Sequence, residues 1–222
     1  MTYTGDVAPG GPADTREAGD LLITKVAVDP EMSNNSYLLR CVSTGDQVLI
    51  DAAAEPSTLL PLIGEAGLTH VVTTHQHWDH HRALADVVAA TGADVVAGAP
   101  DAEAITEQTG VAVTRSVEDG DTIPVGSCSL RVIRLTGHTP GSIALLFDDG
   151  SGQPHLFTGD SLFPGGPGRT TRPEDFTSLM DDLEARVFDG LPDDTWLYPG
   201  HGNDSTLGAE RPQLGEWRAR GW

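Results

Sequence analysis

Residues Thr74–His80 read THQHWDH, and this motif is the strongest indication of the fold in the sequence. It follows Thr69–Thr74, a run of apolar and β-branched residues that is typical of a buried strand. An extended chain after that strand places His75 and His77 on one side, because alternate side chains of a strand share a face. The sequence then predicts a helix over Asp79–Ala90, with its first residue as the N-cap.

The residue types in this stretch are those that bind divalent metal ions. Neutral imidazole and carboxylate groups are preferred ligands of Zn²⁺ and similar cations. The four candidate ligands are too crowded for one tetrahedral ion. The spacing therefore indicates two ions, one bound by His75 and His77 and the other by Asp79 and His80.

Three later segments place a polar residue beside glycine where a strand is expected to end. These segments are GHTPG at Gly137–Gly141, TGDS at Thr158–Ser161 and PGHG at Pro199–Gly202. Glycine allows the backbone to turn sharply around a shared centre. His138, Asp160 and His201 are therefore the candidates that complete the two ligand sets.

The remaining pattern predicts an α+β chain with two packed sheets. Residues 1–19, rich in Gly, Pro and Asp, are expected to form a flexible N-terminal tail, and residues 20–222 a single domain. The predicted strands are Leu21–Val28, Tyr37–Leu39, Gln47–Asp51, Thr69–Thr74, Val95–Ala97, Val111–Val113, Asp121–Val125, Ser129–Leu135, Ser142–Phe147, His155–Thr158 and Trp196–Tyr198. The predicted helices are Glu55–Ala66, Asp79–Ala90, Asp101–Thr109, Pro173–Val187 and one that begins near Ala209. This order favours a four-layer αββα sandwich.

The charge of the chain excludes several classes of partner. Thirteen basic residues against 33 acidic ones give a formal net charge of −20, and Lys25 is the only lysine. Such a surface repels nucleic acids and anionic membranes, so a small-molecule substrate is expected. No basic, apolar leader and no run near the ~18 apolar residues of a membrane span is visible, which predicts a cytoplasmic protein. No heptad pattern indicates an oligomeric state.

Cys41 and Cys128 are the only cysteines of the chain. Their spacing contains no CxxC pair and suggests no disulfide framework. We expect both to be buried structural thiols.

With these motifs in place, the sequence resembles the metallo-β-lactamase superfamily, and within it the glyoxalase II (hydroxyacylglutathione hydrolase) branch. The matching motifs are THQHWDH at Thr74–His80, GHTPG at Gly137–Gly141, GDSLFPGGPGR at Gly159–Arg169 and PGH at Pro199–His201. The resemblance implies an αββα sandwich with the site at its mouth. It also implies that His75, His77 and His138 bind one metal, that Asp79, His80 and His201 bind the second, and that Asp160 bridges them.

The sequence departs from this family pattern at three points. True β-lactamases of the superfamily lack an Asp bridge at the position of Asp160, so antibiotic hydrolysis is disfavoured. Pro167 replaces the Cys of the usual GGCGR loop. The sequence continues for only 21 residues after His201, which predicts that the C-terminal helical domain of glyoxalase II is missing.

The activity implied by the resemblance is hydrolysis of a thioester or similar activated ester by a hydroxide that bridges two metal ions. Zn²⁺ is the expected metal, with Fe and Mn as alternatives, because two cations lower the pKa of a shared water. Asp79 is expected to orient the nucleophile as a catalytic residue. Trp78 as a pocket wall and Arg169 as a guide for an anionic substrate are the predicted substrate contacts; packing under the helix for Trp78 and a solvated loop position for Arg169 are the alternatives.

Other functions fit part of the same pattern. A persulfide dioxygenase would use a single Fe²⁺ on His75, on His77 or His138, and on Asp160. A lactonase or a biosynthetic cyclase/thioesterase is possible because the fold hosts many ester substrates. The two complete ligand sets disfavour a metal-binding domain without catalysis. The acidic charge of the chain disfavours a nucleic-acid-processing enzyme of the same superfamily.

Overall fold

The computed structural model describes residues 2–150 and 152–221, in which two β-sheets pack face to face with helices on both outer sides. The expectations for Met1, in the predicted tail, and for Ser151 and Trp222, in the predicted domain, lie outside the described residues. Within the described residues, no helix is long and apolar enough to cross a membrane.

The first sheet has seven strands in sequence order. They are β1 (Asp14–Ala18), β2 (Leu21–Val28), β3 (Asn34–Cys41), β4 (Gln47–Ile50), β5 (His70–Thr73), β6 (Asp94–Gly98) and β7 (Arg115–Val117). β1 to β4 pair antiparallel through short turns, whereas β4 to β7 pair parallel. The parallel pairs need crossovers, which α1 (Pro56–Ile63), α2 (Leu84–Thr91) and α3 (Ala102–Thr109) supply.

The second sheet has six strands in the order β15-β14-β11-β10-β9-β8. They are β8 (Thr122–Val125), β9 (Cys128–Arg134), β10 (Ile143–Phe147), β11 (His155–Gly159), β14 (Trp196–Pro199) and β15 (Ser205–Thr206). The short strands β12 (Leu162–Phe163) and β13 (Gly166–Pro167) form a separate ribbon. α4 (Pro173–Asp182), a π-helical turn at Leu183–Phe188, α5 (Leu207–Glu210) and α6 (Leu214–Arg220) complete this half.

Three apolar layers hold the sandwich together, as four structural layers require. The central layer lies between the sheets and includes Ile23, Leu39, Phe157 and Tyr198. A second layer packs the helices α1 to α3 against the first sheet, and a third packs α4 and α6 against the second sheet. The predicted αββα sandwich is therefore confirmed.

The prediction of a flexible tail is wrong for Asp14–Ala18, which forms the edge strand β1. This stretch is mostly polar, so its sequence does not show the apolar pattern of a strand. Each of its five residues pairs with a residue of β2, so backbone hydrogen bonding orders the stretch. Tyr3, farther toward the N-terminus, stacks edge-on against Trp196 and donates a hydrogen bond to Asp204. The division into tail and single domain is otherwise not tested and stays a prediction.

Two smaller expectations also differ from the structure. The helix predicted over Asp79–Ala90 is a 3₁₀ turn at Trp78–His80 followed by α2, whose N-cap is Ala83 rather than Asp79. Asp79 does not cap this helix because its carboxylate accepts a hydrogen bond from Asn34 instead. Val111–Val113 is not a strand, since the backbone N–H groups of Val111 and Val113 donate to threonine hydroxyls of α3.

Lys25 is fully buried on β2 and fixes a loop of the second sheet. Its Nζ donates to the carbonyl oxygens of Gly5 and Gly202, both at 2.8 Å, and to Asp204 Oδ1 at 2.6 Å. Gly202 follows His201 directly, so this ammonium group helps to hold the position of one candidate ligand.

Replacing Lys25→Met is expected to lower the free energy of unfolding by about 3–5 kcal/mol, because it leaves the buried Asp204 carboxylate without its cation. Urea denaturation measures the change. The double variant Lys25→Met/Asp204→Asn should recover part of the loss, since it removes the uncompensated charge. If the double variant is as unstable as the single one, the ion pair is not the cause.

His155 is a buried histidine away from the candidate metal ligands. It lies on β11, and its Nδ1 is 2.9 Å from the Tyr198 hydroxyl. Burial, together with the charge of Arg16, lowers the pKa of His155 to about 4. The unfolded chain has a histidine pKa of about 6.5, so it takes up a proton at pH values where the folded chain does not.

The stability that neutral His155 permits is therefore present above about pH 6.5 and is lost as the pH falls toward 4. For this residue we expect a loss of about 2 kcal/mol in the free energy of unfolding between pH 7 and pH 5. His155→Gln cannot titrate, so its free energy of unfolding should fall correspondingly less over that range. Equal pH slopes for the two proteins, from urea denaturation, would contradict the assignment.

Candidate metal centre

The candidate ligands meet at one edge of the sandwich because strands of both sheets end at that edge. β4, β5 and β6 run parallel, so their carboxyl ends lie at the same edge, as in other sheets of this kind. The loop that follows β5 carries His75 and His77, and the 3₁₀ turn that follows it carries Asp79 and His80. The second sheet contributes three residues, each after the end of a strand: His138 after β9, Asp160 after β11 and His201 after β14.

The structure brings all seven predicted ligands together in overlapping groups. Ligand atoms within 4.8 Å of one another form three sets: His75, His77 and His138; His75, His80 and Asp160; and Asp79, His80 and His201. In the first set His75 Nε2 and His138 Nε2 are 3.3 Å apart. In the last set His80 Nε2 and His201 Nε2 are 3.2 Å apart.

Asp160 lies between the two outer sets. Its Oδ1 is 3.3 Å from His80 Nε2, and its Oδ2 is 3.7 Å from His138 Nε2 and 3.5 Å from His201 Nε2. One carboxylate thus reaches imidazoles of both sets. A Cβ at Gly200 would lie 2.2 Å from Asp160 Oδ1, so this close approach of two strand ends requires glycine.

The donor atoms fit divalent cations. When two neutral imidazoles both carry their proton on Nδ1, facing Nε2 atoms at hydrogen-bond distance place lone pair against lone pair unless a metal ion or a further proton lies between them. Asp160 Oδ1 and Asn34 Oδ1 are buried and have no hydrogen-bond partner among the described residues. Unpaired buried oxygens beside converging imidazoles are the arrangement that a bound cation satisfies.

The pKa values of the buried groups at the centre are shifted by burial and by the charges of their neighbours. Burial and the neighbouring His80 lower the pKa of His75 well below its usual value. Burial opposes the charged form of His80, but the carboxylates of Asp160 and Asp51 outweigh it and raise the pKa of His80 well above its usual value. Burial also opposes ionisation of Asp160, yet His80 and His201 hold the pKa of Asp160 well below its usual value.

Four of the histidine rings make a further contact at Nδ1, and this contact directs their Nε2 atoms into the centre. The pairs are Thr74 Oγ1 with His75 Nδ1 at 3.0 Å, Asp51 Oδ2 with His80 Nδ1 at 2.9 Å, the Arg169 carbonyl oxygen with His138 Nδ1 at 2.6 Å, and the Met32 carbonyl oxygen with His201 Nδ1 at 2.9 Å. A fixed acceptor at Nδ1 puts that ring proton there and leaves Nε2 free to bind a metal.

Sequence analysis missed three residues that support the ligands. Asp51, after β4, accepts hydrogen bonds from Thr74 as well as contacting His80. Asp101 accepts from the backbone N–H groups of Gln76 and Gly141 and thereby ties the first histidine loop to the His138 loop. Asn34 Nδ2 donates to Asp79 Oδ2 at 3.0 Å. The available signal was position: Asp51 and Asp101 come just after the parallel strands β4 and β6.

The two predicted substrate contacts lie in different surroundings. Trp78 is 54 % exposed, so it is not packed under the helix, and the Arg82 guanidinium stacks 4.8 Å from its ring. It lines a cavity of about 350 Å³ that contains none of the candidate ligands. Arg169 is exposed, and its backbone carbonyl fixes His138. His81, next to the ligands, turns away and contacts the Gln76 carbonyl oxygen.

A larger cavity, of about 480 Å³, opens directly onto the ligands. His77 and His138 form one side of it, and Thr171, Arg172 and Asp175 form part of the other. Its size suits a small organic molecule rather than a macromolecule.

Comparison with known proteins identifies the family that this fold and centre define. The model of the metallo-β-lactamase superfamily matches residues 29–201, a range that includes every candidate ligand. The chain therefore belongs to the metallo-β-lactamase superfamily.

Three individual proteins show how similar this chain is to particular members of the superfamily. The hydroxyacylglutathione hydrolase of Rhodospirillum rubrum is 35 % identical over 173 residues, which are 76 % of this chain and 62 % of that protein. The hydroxyacylglutathione hydrolase of a Polaromonas species is 34 % identical over 82 % of this chain and 66 % of its own length. The chain thus spans slightly less than two thirds of these relatives. The crystal structure of ETHE1 from Myxococcus xanthus is 31 % identical, with a TM-score of 0.74 over 87 % of this chain and 84 % of that one.

Asp51→Asn is expected to weaken divalent-metal binding by about 10–100-fold while the chain still folds. The amide NH₂ would donate to His80 Nδ1, which moves the ring proton to Nε2 and blocks the ligand nitrogen. Competition with a chromophoric chelator measures the affinity. Asp46→Asn, an exposed carboxylate near the opposite end of the same sheet, is the matched control. Equal affinities for the two variants would show that Asp51 does not orient a ligand.

Proposed function

We propose that this chain is a dinuclear metal-dependent hydrolase that cleaves a thioester or a similar activated ester. His75, His77 and His138 would hold one divalent ion, Asp79, His80 and His201 the other, and Asp160 would bridge them. The observation that supports this most directly is the position of Asp160, whose carboxylate lies within 3.7 Å of imidazoles from both sets. Zn²⁺ is the metal we propose, with Fe and Mn as alternatives, because the donors are imidazole and carboxylate.

When bound, two such cations lower the pKa of a water molecule toward neutrality and polarise an ester carbonyl. The remaining functions fall to the chain itself. Asp79 would orient the attacking water by accepting a hydrogen bond from it. Asn34 fixes Asp79 Oδ2 at 3.0 Å, and His201 Nε2 lies 3.3 Å from the same oxygen, so the carboxylate is held in one orientation.

Burial and the hydrogen bond with His201 act in opposite directions on Asp79, and the net result is a pKa below its usual value. The carboxylate is therefore ionised throughout the neutral range. An ionised Asp79 can accept a hydrogen bond from water in that range, which suits a residue that orients a nucleophile.

The cavity beside His77 and His138 is the proposed place of the acyl group. Arg172 at its rim is ion-paired with Asp175 at 2.8 Å and also faces Glu174, so its charge is already balanced. The side chain of Arg169, by contrast, makes no hydrogen bond or ion pair with any residue that the structure describes. It is exposed next to Arg172. We propose that Arg169 meets a negative group of the substrate.

The thioester class is supported by the relatives named hydroxyacylglutathione hydrolase. These relatives are longer than the chain, and the proposal therefore names the thioester class but not the thiol carrier. The residues that the superfamily model matches include all seven proposed ligands.

The proposal is tested by metal analysis and by hydrolysis of S-lactoylglutathione, a hydroxyacyl thioester. We expect the wild type to hold about two more divalent ions than the double variant His75→Ala/His80→Ala does. Asp79→Ala and Asp160→Ala should each lower kcat by at least about 100-fold, because both carboxylates act at the reacting centre. Asp46→Ala, on an exposed turn, should retain metal and activity. Turnover near the wild-type rate in Asp160→Ala, with unchanged metal content, would refute the assignment.

The same experiment separates the main alternatives. A persulfide dioxygenase would hold a single iron, consume oxygen with a persulfide and hydrolyse no thioester. Two bound metals without thioester hydrolysis would instead favour a lactone or another ester. The complete set formed by Asp79, His80 and His201 favours the dinuclear hydrolase over the single-iron enzyme.

Arg169→Ala is expected to raise KM for S-lactoylglutathione about tenfold and to leave kcat nearly unchanged, because the side chain would bind a remote anionic group rather than the reacting carbonyl. Arg172→Ala is the matched control and should change KM less than about twofold, since its charge is already paired. Steady-state kinetics provide both numbers. A larger effect at Arg172 than at Arg169 would reverse the assignment.

A further inference from the structure

The two cysteines come together at the end of the sandwich that lies away from the histidine centre. Cys41 is the last residue of β3, whose first residue, Asn34, contacts Asp79. An eight-residue strand rising ~3.3 Å per residue separates the two ends by about 23 Å. Cys128 begins β9 in the other sheet, so the pair spans the two sheets.

Three turns converge on these thiols. Asp20, from the turn between β1 and β2, Cys41 and Cys128 have ligand atoms that all lie within 4.8 Å of one another. Ser43 follows β3, and Ser127 lies in the turn between β8 and β9. We refer to these five residues as the thiol cluster. Cys41 is buried, Cys128 and Asp20 are half-buried, and the two serines are exposed, so the cluster is accessible from solvent on one side.

Four heteroatoms of the thiol cluster form a tetrahedron. Asp20 Oδ2, Cys41 Sγ, Ser43 Oγ and Ser127 Oγ lie between 2.5 and 3.4 Å from one another along all six edges. The two hydroxyls and the thiol carry one proton each, and the ionised Asp20 carries none. Three protons can occupy at most three of the six edges, so the other three bring oxygen or sulfur atoms together without a proton between them. A cation inside the cluster removes this conflict.

The donor atoms also match a particular kind of cation. Two thiolates and a carboxylate are ligands that thiophilic divalent ions such as Zn²⁺ prefer. Zn–S bonds of ~2.3 Å and Zn–O bonds of ~2.0 Å in a tetrahedron place the ligand atoms roughly 3.3–3.8 Å apart. The ligand atoms of Asp20, Cys41 and Cys128 lie within 4.8 Å of one another, so shifts of about 1 Å bring them to these separations.

The backbone around the thiol cluster is already fixed. The Ser43 N–H donates to Asp20 Oδ1 at 3.0 Å, and the Val42 N–H donates to the Asp20 carbonyl oxygen at 2.8 Å. Gly126 has a φ of +61°, and a Cβ there would lie 2.9 Å from Cys41 Sγ, so the turn before Cys128 approaches as closely as it can. These contacts hold the donors together before any ion binds.

We propose that Cys41, Cys128 and Asp20 form a separate binding site for one thiophilic divalent cation such as Zn²⁺, with a fourth position for an oxygen ligand. Binding displaces the thiol protons to solvent and joins the two sheets through the metal. The site is independent of the histidine centre, which contains no sulfur ligand. Its formation or failure therefore does not depend on the proposed hydrolase activity.

Cd²⁺ is the probe of choice because its bonds to thiolates give a sulfur-to-metal charge-transfer band in the ultraviolet. Cys41 and Cys128 are the only cysteines, so the band cannot arise from the histidine centre. The protein is used as purified, with its resident metals, after a thiol titration has confirmed that both cysteines are reduced. We expect a band that saturates at about one equivalent of Cd²⁺ and that added Zn²⁺ diminishes by competition.

Variants assign the ligands. Cys41→Ser and Cys128→Ser should each lose most of the band, and Asp20→Asn should bind Cd²⁺ at least about tenfold more weakly, whereas Asp46→Asn should bind as the wild type does. The far-ultraviolet circular dichroism spectrum reports folding and should be unchanged in all four. If Cys41→Ser does not fold, the half-buried Cys128→Ser carries the test. No band with two reduced thiols, or equal affinity in Asp20→Asn, would overturn the proposal.

Discussion

The Asp160 carboxylate, buried among imidazoles from both sheets, is the constraint on which the rest of the structure depends. An ionised carboxylate in this position is tolerated only if positive charge surrounds it. His80 reaches it from the first sheet, and His138 and His201 reach it from the second. The two sheets must therefore meet at this edge, and Gly200, after β14, must lack a side chain because a Cβ there would lie 2.2 Å from Asp160 Oδ1 and 2.7 Å from His80 Cε1.

The parallel part of the first sheet positions the residues that this sheet contributes to the centre. Because β4, β5 and β6 run in the same direction, their carboxyl ends deliver Asp51, the histidine loop and Asp101 to one place. The two aspartates then act on the ligands rather than on a metal: Asp51 orients His80, and Asp101 joins the loops that carry His77 and His138. Removing either aspartate would loosen the ligands without removing one of them.

The distribution of charge is in line with the small substrate that we propose. A net charge of −20 repels other polyanions, while Arg169 supplies a local positive charge near the proposed acyl cavity. At the far end of β3 the thiol cluster repeats, on a smaller scale, the principle of the histidine centre. In both places donors from the two sheets face each other with few protons between them, and we propose that a cation satisfies them.

The class of fold and the residues that meet at the candidate metal centre could be predicted from the sequence alone. His75, His77, Asp79 and His80 are adjacent in the chain, and the glycines beside His138, Asp160 and His201 mark strand ends, so local pattern was sufficient. The strand Leu21–Val28 was predicted with the bounds that the structure shows, because its β-branched residues are continuous. Only the tertiary structure decided which residues support the ligands and that Cys41 meets Cys128.

The physical reason is the range of the interactions involved. A strand or a ligand motif is a local pattern, whereas the hydrogen bond from Asn34 to Asp79 joins residues 45 positions apart and depends on how the strands pair. The strand Asp14–Ala18 was missed for the same reason, since hydrogen bonding to β2 rather than its own composition orders it. What pairs across sheets is fixed by topology, and topology is decided by the packing of the whole chain.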